Sequence, residues 1–171
     1  MFVADSVLHL LLWVAGTAPV TGSAIPTKVS TDRSIQPLTP PCVNGTPAAQ
    51  AGNNSWPIDY APVGLAGSDA GNYTVSQGWY NKHVISSTYV GVGPGNDQYA
   101  AFKCQYVCNA AANCASYFGK YVDDGNGDSH YECILFDDLL DASIFVLDSD
   151  TMPGGGYNRL CNATREGLGS D

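Results

Sequence analysis

Three sets of residues in this chain carry reactive chemistry: a crowd of acids, a few histidines and six cysteines. Asp and Glu number sixteen against seven Lys and Arg, a formal net charge of −9. Between Asp123 and Asp150 stand nine acidic residues and no Lys or Arg. Two carboxyls at the right separation would serve glycoside hydrolysis, one as acid and the other as nucleophile or base. With so many acids in one stretch a chance pair is expected, so their number alone marks no active site. His130 sits among Asp128, Ser129 and Glu132. A nucleophile needs a base beside it and a third group to orient that base, but a polar turn contains the same letters for turn reasons. The run Asp123-Asp124-Gly125-Asn126-Gly127-Asp128 offers the oxygen ligands that calcium takes. An EF-hand started at Asp124 would need Gly where Ser129 stands and Glu where Leu135 stands. A cation site here is therefore a non-EF site of Asp123, Asp124, Asn126 and Asp128, or the run is a plain glycine-rich turn. Zinc lacks its C-x2-C pairs or Cys/His clusters. No cofactor and no metal are expected.

The cysteines are Cys42, Cys104, Cys108, Cys114, Cys133 and Cys161. An even number in a secreted chain reads as three disulfides, and six cysteines allow fifteen connectivities. Secretion is read from the start of the chain. Val7–Gly16 is an apolar run too short to span a bilayer, and Gly22-Ser23-Ala24 or Val20-Thr21-Gly22 follows as a cleavage site. Residues 1–24 are thus expected to be a signal peptide, although Asp5 stands where a basic region is usual. Asn44, Asn53, Asn72 and Asn162 each open an Asn-X-Ser/Thr triplet, as surface N-glycosylation sites of an extracellular protein would. The acidic balance repels nucleic acid and anionic lipid heads. Neither nucleic-acid binding nor membrane insertion is expected.

The elements that must position these residues are legible in part. Residues 25–41 are a Pro/Ser/Thr-rich lead-in, and extended or irregular backbone with no helical period is expected to about residue 70. Trp56 and Tyr60 in that stretch are expected either to cover an apolar surface of the core or to stand exposed for binding. Tyr73–Tyr80 and Val84–Val92 read as strands joined by a turn at Asn81-Lys82-His83. A helix over 97–111, capped by Asn96 or Asp97, places Ala101, Cys104, Cys108 and Ala111 along one side. Ala115–Val122 and Tyr131–Phe136 form a hairpin across a Gly/Asp/Asn loop. Ser143–Leu147 is a further strand, Met152–Gly156 a loop, Tyr157–Cys161 the closing segment and 162–171 a disordered tail.

The spacing Cys104-x3-Cys108-x5-Cys114, followed by a strand cysteine at 133, resembles the PAN/apple domain family. The texture as a whole, with Asn-X-Thr sites and a closing Tyr-Asn-Arg-Leu-Cys, is similar to small secreted fungal proteins. The resemblance implies an α+β domain over 42–161, with one helix packed on an antiparallel sheet and three disulfides. It implies the pairs Cys104–Cys133, Cys108–Cys114 and Cys42–Cys161. Sixty-one residues separate Cys42 from Cys104, so the segment after Cys42 is either an insertion in the first strands or an extra lobe. The function implied is a non-catalytic module binding carbohydrate or protein outside the cell. Trp79 and Tyr80, read as neighbours at a strand end and so facing opposite ways, are the expected contact residues. The alternatives are a small secreted hydrolase using two acids, and a structural wall or surface protein.

Overall fold

The aromatic hairpin is the centre of the architecture. The computed structural model describes residues 39–50, 52, 55–65, 71–123, 125–126 and 128–161, all within the compact unit Pro37–Asp171. The signal-peptide region, the lead-in up to residue 38, Asn53, Asp124, Asn162 and the tail lie outside these residues. In chain order the elements are β1 (Tyr60–Val63), β2 (Tyr73–Val75), α1 (Gln77–His83), β3 (Val84–Val90), α2 (Asp97–Ala110), β4 (Ser116–Asp123), β5 (Ser129–Phe136), a 3-10 turn (Ala142–Ile144), β6 (Phe145–Leu147) and β7 (Met152–Arg159). Five strands form an antiparallel sheet in the order β1-β7-β4-β5-β3, and β2 pairs with β6 in a second, two-stranded sheet.

Successive strand residues face opposite ways, and here both faces are covered. Tyr117, Tyr121, Tyr131, Cys133 and Leu135 point into one core, beneath α2. Phe118, Ile134 and Phe136 point into the other, where Tyr73, Val75, Leu140 and Phe145 meet them. Helix α2 lies close because the residues it turns inward are small. Ala100, Ala101, Cys104 and Cys108 have no exposed surface, and the Tyr117 hydroxyl donates to the Ala101 carbonyl at 3.0 Å. The disulfides are Cys104–Cys133, from α2 to β5, Cys108–Cys114, across the exit of α2, and Cys42–Cys161, at the two ends of the described chain. These are the pairings the apple-domain resemblance implies. Arg159 of β7 donates to the carbonyls of Cys114 (2.8 Å) and Cys108 (3.3 Å). It places a cation and donors where a helix leaves its last carbonyls unpaired.

Of the segment after Cys42, the described residues Tyr60–Val63 join the five-stranded sheet as β1. Val43 bridges Leu160, Ala49 bridges Ile58, and β1 pairs with β7. It is edge structure built on the last strand.

Four expectations are corrected. Tyr73–Tyr80 is not one strand: β2 ends at Val75 and α1 takes over. Trp79, Tyr80 and His83 fall on one side of a helix, and Trp79 and Tyr80 thereby pack on Phe136, which outweighs their strand propensity. The turn forecast at Asn81–His83 is accordingly the last turn of that helix, so the described residues hold two α-helices and not one. Ser143 and Ile144 lie in the 3-10 turn, capped by the Asp141 carboxylate accepting from Ser143 N–H, and only Phe145–Leu147 is strand. Met152–Gly156 is no loop but the first part of β7. Its glycines leave room for side chains from elsewhere. A Cβ on Gly154, or on Gly119 in β4, would collide with the hydroxyl end of the Tyr131 ring. One on Gly156 would press on Leu140, the Val63 carbonyl and Phe145.

Candidate functional site

Helix α2 has a second face, and that face is aromatic. Tyr99, Phe102 and Tyr106 are spaced three and four apart, so they form one stripe on the side of the helix away from the cysteines. Trp56, from the loop before β1, lies across the stripe. Its ring centroid is 4.4 Å from Tyr99 and 5.2 Å from Phe102, both tilted, and Phe102 meets Tyr106 edge-on at 4.9 Å. Lys103 places its ammonium 5.2 Å from the centre of the Tyr99 ring. Trp56 is 39% and Tyr106 54% exposed, with Tyr99 and Phe102 half-buried between them. Four aromatic rings with partly open faces therefore adjoin on one surface.

The loop that brings Trp56 there is pinned. Gln105 is buried, and its amide donates to the Pro57 carbonyl at 2.7 Å while accepting from Asp59 N–H at 3.0 Å. Gln98 donates to the Trp56 carbonyl at 3.3 Å. Ile58 is buried beneath the loop, and the Tyr60 hydroxyl donates to Asn109 Oδ1 at 2.8 Å. Such bonds hold the indole in place before any ligand arrives, which lowers the ordering cost of binding.

The residues singled out from the sequence are placed elsewhere. Trp79 and Tyr80 are half-buried on α1. Trp79 lies 4.6 Å from the His83 ring and 4.8 Å from Phe136 in T-shaped contact, while Tyr80 meets Phe136 at 6.1 Å. The reasoning that one of the pair must face outward from a strand does not hold on a helix. His83 also lies 3.1 Å from Asp137 and 3.7 Å from Asp138. His130 faces Tyr89, whose ring stands edge-on at 4.3 Å. Asp123, Asn126 and Asp128 are exposed in the hairpin loop, where Asp123 accepts from Gly125 N–H at 2.8 Å and so shapes the turn. Among the described residues no three His, Cys, Asp or Glu are grouped for a metal. Asn44 and Asn72 are exposed, and the Asn72 amide donates to the Ser149 carbonyl at 3.1 Å. Glu132 pairs with Lys120 at 3.5 Å. Thr151 and Asp150 N–H donate to Asp148, which holds its carboxyl below the usual range. Asp141 is likewise lowered, by its bonds from Ser143.

The sequence points to Trp56 as a residue that could stand exposed for binding, but the cysteine spacing of α2 draws attention to the opposite face from its aromatic stripe. The signal was present: Tyr99, Phe102 and Tyr106 follow helical spacing on the face opposite Cys104 and Cys108, where solvent-facing polar residues are the rule.

The class these features define is a disulfide-linked α+β domain with both sheet faces covered and an aromatic face on its main helix. No family model, curated protein or solved structure matches the chain.

Proposed function

We propose that this protein is a secreted, non-catalytic binding module that recognises extracellular carbohydrate on the Trp56–Tyr99–Phe102–Tyr106 face. The observation that carries the reading is the pinned indole over a helical aromatic stripe with open ring surface. Tyr and Trp supply large, rigid contact area at low entropic cost, with an apolar body and a polar tip. The apolar faces of pyranose rings suit such a surface, and the tyrosine hydroxyls suit their rims. A net charge of −9 favours uncharged glycans over sulfated or phosphorylated ones. The cysteine resemblance to apple domains, the signal-peptide reading and the Asn-X-Thr triplets support an extracellular setting. A protein ligand is the second form of the same reading, since aromatic residues also anchor protein interfaces.

The test is a neutral-glycan array followed by titration calorimetry on whatever binds. Trp56→Ala and Tyr106→Ala should each weaken binding about tenfold or more, as removal of a central aromatic contact does. Trp79→Ala should leave affinity unchanged. Loss of binding in Trp79→Ala alone would move the site to α1. Turnover of a polysaccharide, abolished by a single Asp→Asn change, would replace the module by the hydrolase.

A further inference from the structure

The stripe Tyr99, Phe102 and Tyr106 is continued by Asn109, three residues on and still on the same side of α2. From Tyr99 to Asn109 is ten residue steps, about 15 Å of helix axis. An extended chain of pyranose rings advances roughly one helical turn, about 5 Å, per sugar. The line is therefore as long as about three sugars. Its open rings are Trp56 and Tyr106, with Phe102 half-buried between them.

We propose that this face holds three consecutive sugars of a single soluble glycan chain laid along α2, with the Asn109 amide donating to the sugar on Tyr106. The proposal rests on the glycan reading of the face and specifies its ligand as an internal stretch of chain, not a terminal sugar. Asn109 selects a sugar as the occupant. It is exposed, and its Oδ1 accepts from the hydroxyl of buried Tyr60 at 2.8 Å. That bond holds the amide in place and leaves both Nδ2 hydrogens without an acceptor among the described residues. Lys103, whose ammonium stands by the Tyr99 ring, is exposed and makes no ion pair among the described residues. An aromatic line with unspent donors at its margins suits a ring that is apolar on its faces and hydroxylated at its edge. A wholly apolar partner would cover those donors and leave them unpaired.

The angles between the rings decide the physical form of the chain. Phe102 makes 53° with Trp56 and 73° with Tyr106. Parallel planes would make equal angles with a third, so the open faces of Trp56 and Tyr106 are not parallel. A flat crystalline surface of packed chains can lie on one of them at a time. A single chain in solution turns about its linkages and can meet both. Each seated sugar tethers the next, so affinity should climb with chain length until the line is full.

The experiment is titration calorimetry on the full chain with soluble cello-, chito-, laminari- and manno-oligosaccharides of one to six sugars. In the series that binds, affinity should rise at least about tenfold from one sugar to three and change less than about twofold from three to six. Microcrystalline cellulose and chitin should leave the protein in solution. Asn109→Asp keeps the acceptor for Tyr60 and loses the donors, so the trisaccharide should bind about tenfold more weakly. Tyr60→Phe keeps the amide but frees it, and should weaken binding by about threefold. Asn109 is exposed, so Asn109→Asp should melt like the wild type, which separates a lost contact from a lost fold. Full affinity for a single sugar, or a climb that continues past three, overturns the chain proposal and leaves the glycan reading standing. So does retention on the crystalline polymers, or a trisaccharide indifferent to Asn109→Asp. No binding in any of these series overturns the proposal, and an empty glycan array takes the reading beneath it as well.

Discussion

Replacing Gly119 by Ala adds one methyl group where Tyr131 already lies. Tyr131 has no exposed surface, and its ring leans from β5 across β4 to β7. The new Cβ would fall inside contact distance of its Cε1, Cζ and Oη, and a Cβ on Gly154 inside that of Cε2, Cζ and Oη. The ring cannot retreat, because Tyr121 stands edge-on to it at 4.9 Å and the disulfide at Cys133 holds its strand. Overpacking of a closed core costs about 1–3 kcal/mol, and a rigid ring between backbone and helix puts this case at the upper end, about 3 kcal/mol. In a domain of this size that lowers the melting temperature by roughly 10 °C. The assay is calorimetric unfolding of Gly119→Ala, Tyr131→Leu and the double variant. Leu stops short of the three clashing atoms, so Gly119→Ala should cost less than about 0.5 kcal/mol in that background, a coupling above about 2 kcal/mol. Gly78→Ala is the control. Its Cβ meets nothing within 4 Å and it lies in α1, so it should stabilise by up to about 1 kcal/mol. A Gly119→Ala protein within 0.5 kcal/mol of wild type, or zero coupling, would refute the packing argument.

Tyr131→Phe should hold or raise stability, by up to about 1 kcal/mol, since the Tyr131 hydroxyl is buried without a hydrogen-bond partner among the described residues. Asn158 is buried and forms a two-way clasp with Leu140, accepting from its N–H and donating to its carbonyl, each at 2.8 Å. Asn158→Ala strands both groups and should cost about 2–3 kcal/mol in urea unfolding. Burial pushes the Tyr60 and Tyr157 hydroxyls up to about 12 and raises Tyr73, Tyr117, Tyr121 and Tyr131. Because these groups release protons more readily when unfolded, the stability they contribute is whole below pH 10 and declines as pH rises toward their folded values. For Tyr60 the difference amounts to about 3 kcal/mol. Phenolate absorbance should therefore rise steeply at the alkaline unfolding transition, and a smooth titration completed near pH 10 in folded protein would contradict it. Opening Cys42–Cys161, separated by 119 residues, with a Cys→Ser pair should cost roughly 4–5 kcal/mol in the chain-entropy picture. Peptide mapping without reduction checks the pairing itself.

What the sequence determined by itself is what local pattern and covalent count control. The alternating aromatic runs around a Gly/Asp/Asn loop marked β4 and β5, helical spacing marked α2, and the six cysteines, through a family resemblance, marked three pairings. Each depends on residues near one another in the chain, or on chemistry with few partners. The tertiary structure decided the rest. Met152–Gly156 reads as loop by composition, yet it is strand, because its empty glycine positions are filled by Tyr131, Leu140 and Phe145 from other elements. Trp79 and Tyr80 carry strand propensity, yet they are helical, because Phe136 offers a surface to one helical side. Trp56 stands forty-three residues before Tyr99, and the bonds of Gln98 and Gln105 to its loop, with that of Tyr60 to Asn109, bring it to α2. Local preferences amount to tenths of a kcal/mol per residue, whereas burying an aromatic ring is worth several times that. Where the two conflict, contacts between distant residues prevail, and one strand or one loop read alone does not disclose them.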